Sequence, residues 1–272
     1  MADKIALVGA GNMAKSLAGG LLRHGIPATA IVAADPDASQ RASMATLGIA
    51  VVESNAAAIT GAAAIVLAVK PQVLGNVVAD LAKTLRPEQL LISIAAGVPS
   101  NAIERWSRHG NGIVRCMPNT PALYGAGVTA LFANDRVTPR QRQIAESILA
   151  AVGHIIWVPD EAAIDAVTAV SGSGPAYFFY LMEAMIEAGV ALGLDAETAR
   201  TLTLKTAYGA AVMANESIVE PAQLRRNVTS PGGTTERAIS VLDRGACKAL
   251  IDDAVRQAAR RSEELAREFG AE

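Results

Sequence analysis

Cysteine, aromatic residues and excess charge are all scarce in this chain of 272 residues. The two cysteines, Cys116 and Cys247, are too few for a disulfide framework, so reduced thiols in a cytosolic protein are expected. Aromatics make up 4% of the chain, which leaves Ala, Val, Leu and Ile to build the core. Side chains that small let helices approach closely, as in helix-rich packing and burial between subunits. The formal net charge is −2 and no basic stripe is visible, which argues against a nucleic-acid or anionic-membrane partner. No apolar run reaches the ~20 residues of a membrane span without charges or Gly/Pro breaks. The opening Met-Ala-Asp-Lys carries no signal-peptide pattern. A cytoplasmic location is expected. The three histidines, His24, His109 and His154, fall outside every motif below, and no metal site is expected.

Apolar residues reach 51%, enough for a substantial core. The length suits one large or two modest domains, a typical domain having ~100–150 residues. Up to Val158 the chain alternates short apolar runs with helical stretches. Lys4–Val8, Ile31–Ala34, Ala64–Val69, Leu90–Ile94, Ile113–Cys116 and His154–Val158 read as strands. Continuous apolar strands spaced by helices indicate a mostly parallel sheet covered on both faces. Thr138-Pro139-Arg140-Gln141 reads as a capped helix start. After Pro159-Asp160 only helical patterns remain: Pro175–Leu192 closed by Gly193, Ala196–Asn215 capped by Asp195, a short one from Pro221, then Thr234–Asp243 and Lys248–Phe269. The expected domains are therefore 1–159 and 160–272. Ala207–Ala214 is apolar on every side, which calls for cover by a partner subunit.

Gly9-Ala10-Gly11-Asn12-Met13-Ala14 follows the first strand and opens a helix. In G-x-G-x-x-A the first Gly permits the turn, the second lets backbone approach a pyrophosphate, and the small last residue lets helix and strand pack. The helix N-terminus offers free N–H groups to phosphate. Asp35 ends the second strand, where an acid can accept from a ribose 2′-hydroxyl and repel a 2′-phosphate. Arg41 could instead pair a 2′-phosphate, and Asp35 could simply cap a turn, so NADH and NADPH both stay open. Three segments close later strands, where ligands of open α/β sheets bind: Ala68-Val69-Lys70-Pro71, Ile94-Ala95-Ala96-Gly97 and Met117-Pro118-Asn119-Thr120-Pro121. Lys70 could attract phosphate or a substrate carboxylate, or be a solvated strand-end lysine. In the helical half, Ser230-Pro231-Gly232-Gly233-Thr234-Thr235 could form an anion nest ahead of a helix, or an ordinary turn with a Thr cap.

Together, these segments with Val170-Ser171-Gly172-Ser173-Gly174-Pro175-Ala176-Tyr177 resemble, in order and spacing across essentially the whole chain, the pyrroline-5-carboxylate reductase family. The Val170 and Ser230 motifs are the most specific of them. The resemblance implies an α/β fold, with an N-terminal Rossmann-type doubly wound sheet and an all-helical C-terminal dimerisation domain. It implies an interlocked homodimer, assembled into larger rings such as a decamer. The implied reaction is reduction of 1-pyrroline-5-carboxylate to L-proline, with NADPH as cofactor and NADH as an alternative. Cofactor contacts are implied at Gly9, Ala10, Gly11, Asn12, Met13, Asp35, Asn55, Ala68, Val69, Lys70, Pro71, Ala95, Ala96, Asn119 and Asn227. Substrate contacts are implied at Glu161, Ser230, Gly232, Gly233, Thr234 and Thr235. Asp35 departs from members with Ser or Arg at this place.

An imine takes a proton from solvent readily, so a strong general acid is optional, in keeping with the absence of a motif histidine. Thr235 is the expected polar catalytic group, hydrogen-bonding the ring nitrogen. A β-hydroxyacid dehydrogenase would want Lys or His early in the helical half, and Glu161–Tyr180 has neither. An imine reductase for another ring size, or a dinucleotide-binding sensor, are the remaining alternatives.

Overall fold

The computed structural model describes residues 3–270. Eight strands form: β1 Ile5–Val8, β2 Ile31–Ala34, β3 Ala50–Val52, β4 Ala64–Leu67, β5 Leu90–Ser93, β6 Ile113–Met117, β7 Gly127–Ala133 and β8 Gly153–Trp157. They make one sheet in the order β3-β2-β1-β4-β5-β6-β7-β8. All neighbours pair in parallel except β6 and β7.

The helices between the strands are α1 Asn12–Arg23, α2 Ala38–Ala45, α3 Asn55–Ile59, α4 Pro71–Leu81, α5 Ser100–Ser107 and α6 Pro139–Ala150. Successive strand residues point to opposite faces, and each face has its own apolar layer. Leu17 and Leu21 of α1, Met44 of α2 and Leu149 of α6 pack with Leu7, Val66 and Ile92. Ile59 of α3, Leu74 of α4 and Ile103 of α5 pack with Val8, Leu67 and Leu91. The start of α6 has the expected reciprocal cap, with the Gln141 amide donating to Thr138 Oγ1 at 3.2 Å and the Thr138 amide donating to Gln141 Oε1 at 2.9 Å.

Two strands escaped the sequence pattern. The edge strand β3 has three residues and none is buried, too short for an alternation to register. A single 3₁₀ segment, Thr120–Tyr124, separates β7 from β6. That leaves no room for a parallel crossover, and the pair is antiparallel.

Beyond β8 come α7 Ala163–Val167, one turn of π-helix at Thr168–Gly172, then α8 Gly174–Ala191, α9 Ala196–Glu216, α10 Pro221–Asn227, α11 Thr234–Arg244 and α12 Cys247–Gly270. Gly193 ends α8 with φ +99°, and Asp195 caps α9 through the Thr198 amide at 2.9 Å. None of the described helices is long and apolar enough to cross a membrane.

The chain divides into two compact units. One runs to Ser173 and takes in the chain from Gln257 onward; the other is Gly174–Arg256. The change from mixed to all-helical structure falls near Pro159, as read from the sequence, whereas the packing division falls after Ser173. The stretch between is bound to the sheet by polar side chains: Glu161 accepts from Arg115 of β6, and Asn119 donates to the Ser171 carbonyl. Within the second unit only Gly174, Ala199 and Thr203 are buried among the described residues. Phe178, Phe179, Tyr180 and Leu181 of α8 are each more than half exposed. A helical unit with almost no interior of its own needs a second apolar surface to cover it.

Candidate active site

The strand order reverses at β1, whose neighbours are β2 and β4, and ligands of doubly wound sheets bind at such a switch point. Gly9 sits there with φ +100°. A Cβ at Gly9 would lie 2.7 Å from the Ala68 carbonyl oxygen and 3.1 Å from Val69 Cγ1. Only glycine allows this approach between the end of β1 and the end of β4. Gly11 is the N-cap of α1, with no side-chain cap and no acid in the first turn. A Cβ at Gly11 would meet nothing within 4 Å. The loop therefore presents open space beside uncapped amides at a helix N-terminus, which fits a pyrophosphate. Asn12 is exposed, Met13 half-buried, and Ala14 is buried against the sheet.

Asp35 directly follows β2 and faces this loop. Its carboxylate accepts the Ala10 amide at 2.9 Å and the Asp37 amide at 2.9 Å. Arg41 donates to the carbonyls of Asp35 and Pro36, both at 2.8 Å, and Lys15 Nζ donates to Ser43 Oγ at 2.6 Å. Arg41 thus stands at the same strand end as the carboxylate. Asn55 opens α3, whose cap is the neighbouring Ser54. Lys70 is exposed at the N-cap of α4, with Pro71 at the first helical position. Ala95 and Ala96 follow β5, and Ser93 Oγ accepts the Ala95 amide at 3.4 Å. Asn119 is braced at both ends, donating to the Ser171 carbonyl at 3.1 Å and accepting the Val128 amide at 3.0 Å.

Glu161 has both oxygens engaged. Oε1 accepts from the Ser100 amide at 2.6 Å and from Arg115 Nη1 at 3.0 Å, and Oε2 accepts from Ser100 Oγ at 2.5 Å. Ser100 and Arg115 were not singled out from the sequence. The available signal was the lone charge in the buried strand Ile-Val-Arg-Cys-Met. Cys116, next along β6, is fully buried, and desolvation pushes its thiol well above the ordinary range. It is therefore no nucleophile at neutral pH.

In the second unit Gly232 turns the chain with φ +72°, and Gly233 is the N-cap of α11. The Gly232 amide donates to the Glu236 carboxylate at 2.7 Å, and the Gly233 amide to the Ser230 carbonyl at 3.1 Å. Two of the amides expected in the nest are thus engaged locally. Thr234 and Thr235 begin the helix, leaving first-turn amides without intrahelical partners. Ser230 and Thr234 are exposed and Thr235 is half-buried. Asn227 Oδ1 accepts from Gln223 Nε2 at 2.7 Å.

A glycine turn at the switch point of a doubly wound sheet, followed by a helical unit that buries little alone, defines a two-domain dinucleotide-dependent oxidoreductase. Residues 4–97 match the family model for NADP oxidoreductase, coenzyme F420-dependent, and residues 161–265 match that for pyrroline-5-carboxylate reductase dimerisation. A pyrroline-5-carboxylate reductase of Pseudomonas aeruginosa is 55% identical, with 98% of each chain covered. The solved pyrroline-5-carboxylate reductase of Coxiella burnetii superposes with a TM-score of 0.91 at 42% identity, covering 97% of this chain and 98% of that one. The Plasmodium falciparum pyrroline carboxylate reductase, solved with NADP bound, gives 0.87 at 30% identity, covering 97% of this chain and 98% of the other. The chain belongs to the pyrroline-5-carboxylate reductase family.

Proposed function

We propose that this protein reduces 1-pyrroline-5-carboxylate to L-proline with NAD(P)H, Thr235 contacting the ring nitrogen. Bound nicotinamide supplies the hydride for the imine carbon, and the protein supplies position and electrostatics. The observation that carries the dinucleotide part is the Gly9–Met13 loop, open at Gly11 and uncapped at the start of α1. Ala68, Val69, Lys70 and Pro71 after β4, Ala95 and Ala96 after β5, and Asn55, Asn119 and Asn227 complete the cofactor contacts in this reading.

The Ser230–Thr235 segment takes the substrate. That the Gly232 amide already holds the Glu236 carboxylate supports a backbone suited to carboxylates. In this reading the substrate carboxylate takes the place of Glu236 on the Gly232 amide and is held by the first-turn amides of α11, beside Ser230 and Gly233. Among the described residues Thr235 Oγ1 has no hydrogen-bond partner, so it is free to donate to the ring nitrogen. The imine carbon gains the hydride, and the nitrogen gains a proton from the Thr235 hydroxyl, which solvent replenishes.

The family's dimerisation domain and the exposed apolar side chains of α8 both support oligomerisation. A homodimer, further assembled into a decamer, in the cytoplasm, is the arrangement we propose. The deciding experiment follows NADPH and NADH consumption with pyrroline-5-carboxylate and identifies the product. Proline formed at the rate of cofactor loss supports the assignment; tight cofactor binding without turnover would move it to another cyclic imine.

A further inference from the structure

We infer that Glu161 is a positioning residue, which sets the Ala95–Gly97 turn beside the cofactor through Ser100 and Arg115 rather than by touching the substrate. This inference rests on the dinucleotide reading above. The turn leads straight into α5, whose N-cap is Pro99. Proline has no side-chain acceptor for the first-turn amides, and the amide of Ser100, the first residue of α5, has no partner within the helix. Glu161, distant in sequence, takes that place: its carboxylate holds both the amide and the hydroxyl of Ser100. A carboxylate at a helix N-terminus is also favoured by the helix dipole.

Arg115 holds Glu161 in turn. Its side chain is 3% exposed and that of Glu161 23%. Arg115 Nη2 is buried and has no hydrogen-bond partner among the described residues; it faces Asp165 Oδ1 at 4.0 Å. Ser262 of α12 donates to that same oxygen at 2.6 Å. Helix α12 reaches the turn from the other side as well. Gly97 has φ +74°, and a Cβ there would lie 2.8 Å from Leu265 Cβ. The turn is thus clamped between an apolar contact with α12 and a polar chain running Ser100, Glu161, Arg115, Asp165, Ser262. A buried cation with an unsatisfied nitrogen is costly to keep, yet the cation ends on the one carboxylate that fixes α5. With its oxygens already committed, Glu161 has little left to offer a ligand.

The test is equilibrium binding of NADPH and of NADH by fluorescence, without substrate, alongside steady-state kinetics with pyrroline-5-carboxylate. Glu161→Gln raises the cofactor Kd about tenfold, as for one lost charge-assisted hydrogen bond, with the KM for pyrroline-5-carboxylate within about twofold. Ser100→Ala moves the same constant in the same direction, and Ser100→Thr, which keeps the hydroxyl, restores it. The double variant Ser100→Ala, Glu161→Gln is no worse than the poorer single, because both cut one path. A raised substrate KM with unchanged cofactor Kd would put Glu161 on the substrate and overturn the inference. Lowered thermal stability with unchanged Kd would reduce the chain to a structural brace and overturn it too. A wild-type protein binding neither dinucleotide would overturn the cofactor reading along with it, whereas binding without turnover leaves the cofactor Kd values of the variants to decide the inference.

Discussion

The Asp35 carboxylate accepts the Ala10 amide at 2.9 Å, tying the end of β2 to the glycine loop. The acid is therefore held in place where the adenosine ribose is expected. Arg41, the nearby cation, donates to two carbonyls, those of Asp35 and Pro36.

The first prediction follows from that pair. Asp35→Asn keeps a carbonyl oxygen for the Ala10 amide while removing the charge and the acceptor of the Asp37 amide. It should raise the ratio of kcat/KM for NADPH over NADH about tenfold, the scale of one near-surface charge repulsion. Arg41→Ala should move the ratio the other way. An unchanged ratio in both would show that neither group meets the 2′ position.

The two loop glycines should fail differently. Gly11→Ala places a methyl in open space on a backbone with φ −70°, so the fold should keep its melting temperature while cofactor Kd rises. Gly9→Ala meets the Ala68 carbonyl at 2.7 Å with φ +100° and should lower the melting temperature as well. Thermal melts beside cofactor titrations separate the two.

Thr235→Val should lower kcat by ~10²–10⁴-fold, the usual range for a positioned proton donor, with cofactor Kd unchanged. Loss of cofactor binding in this variant would place Thr235 elsewhere in the mechanism.

Cys116 predicts the alkaline limb of stability. Burial raises its thiol above the ordinary value of 9.0. Below that value both states hold the proton and stability is unaffected. Above it the unfolded chain releases the proton first, so stability falls as pH rises, by up to about 1.4 kcal/mol per pH unit. Denaturant titrations at about pH 8 and about pH 10 should show a smaller decline in Cys116→Ala than in the wild type. Equal declines would mean the thiol ionises freely in the fold.

Local chemistry by itself determined much of this protein. Apolar runs such as Ala64–Leu67 form buried strands, Thr138 and Asp195 cap helix starts, and the G-x-G-x-x-A spacing places a glycine turn between β1 and α1. Each of these signals lies within a few residues of its consequence. Tertiary structure alone decided the rest. The edge strand β3 and the antiparallel β7 depend on neighbours far along the chain, and the helical stretch after Pro159 packs with the sheet because Arg115 and Asn119 reach it. The partners of Glu161 are likewise set by the fold. Nothing in its immediate sequence says that an uncapped helix start and a buried guanidinium converge on its carboxylate, since hydrogen bonds between distant segments leave no period or spacing to read.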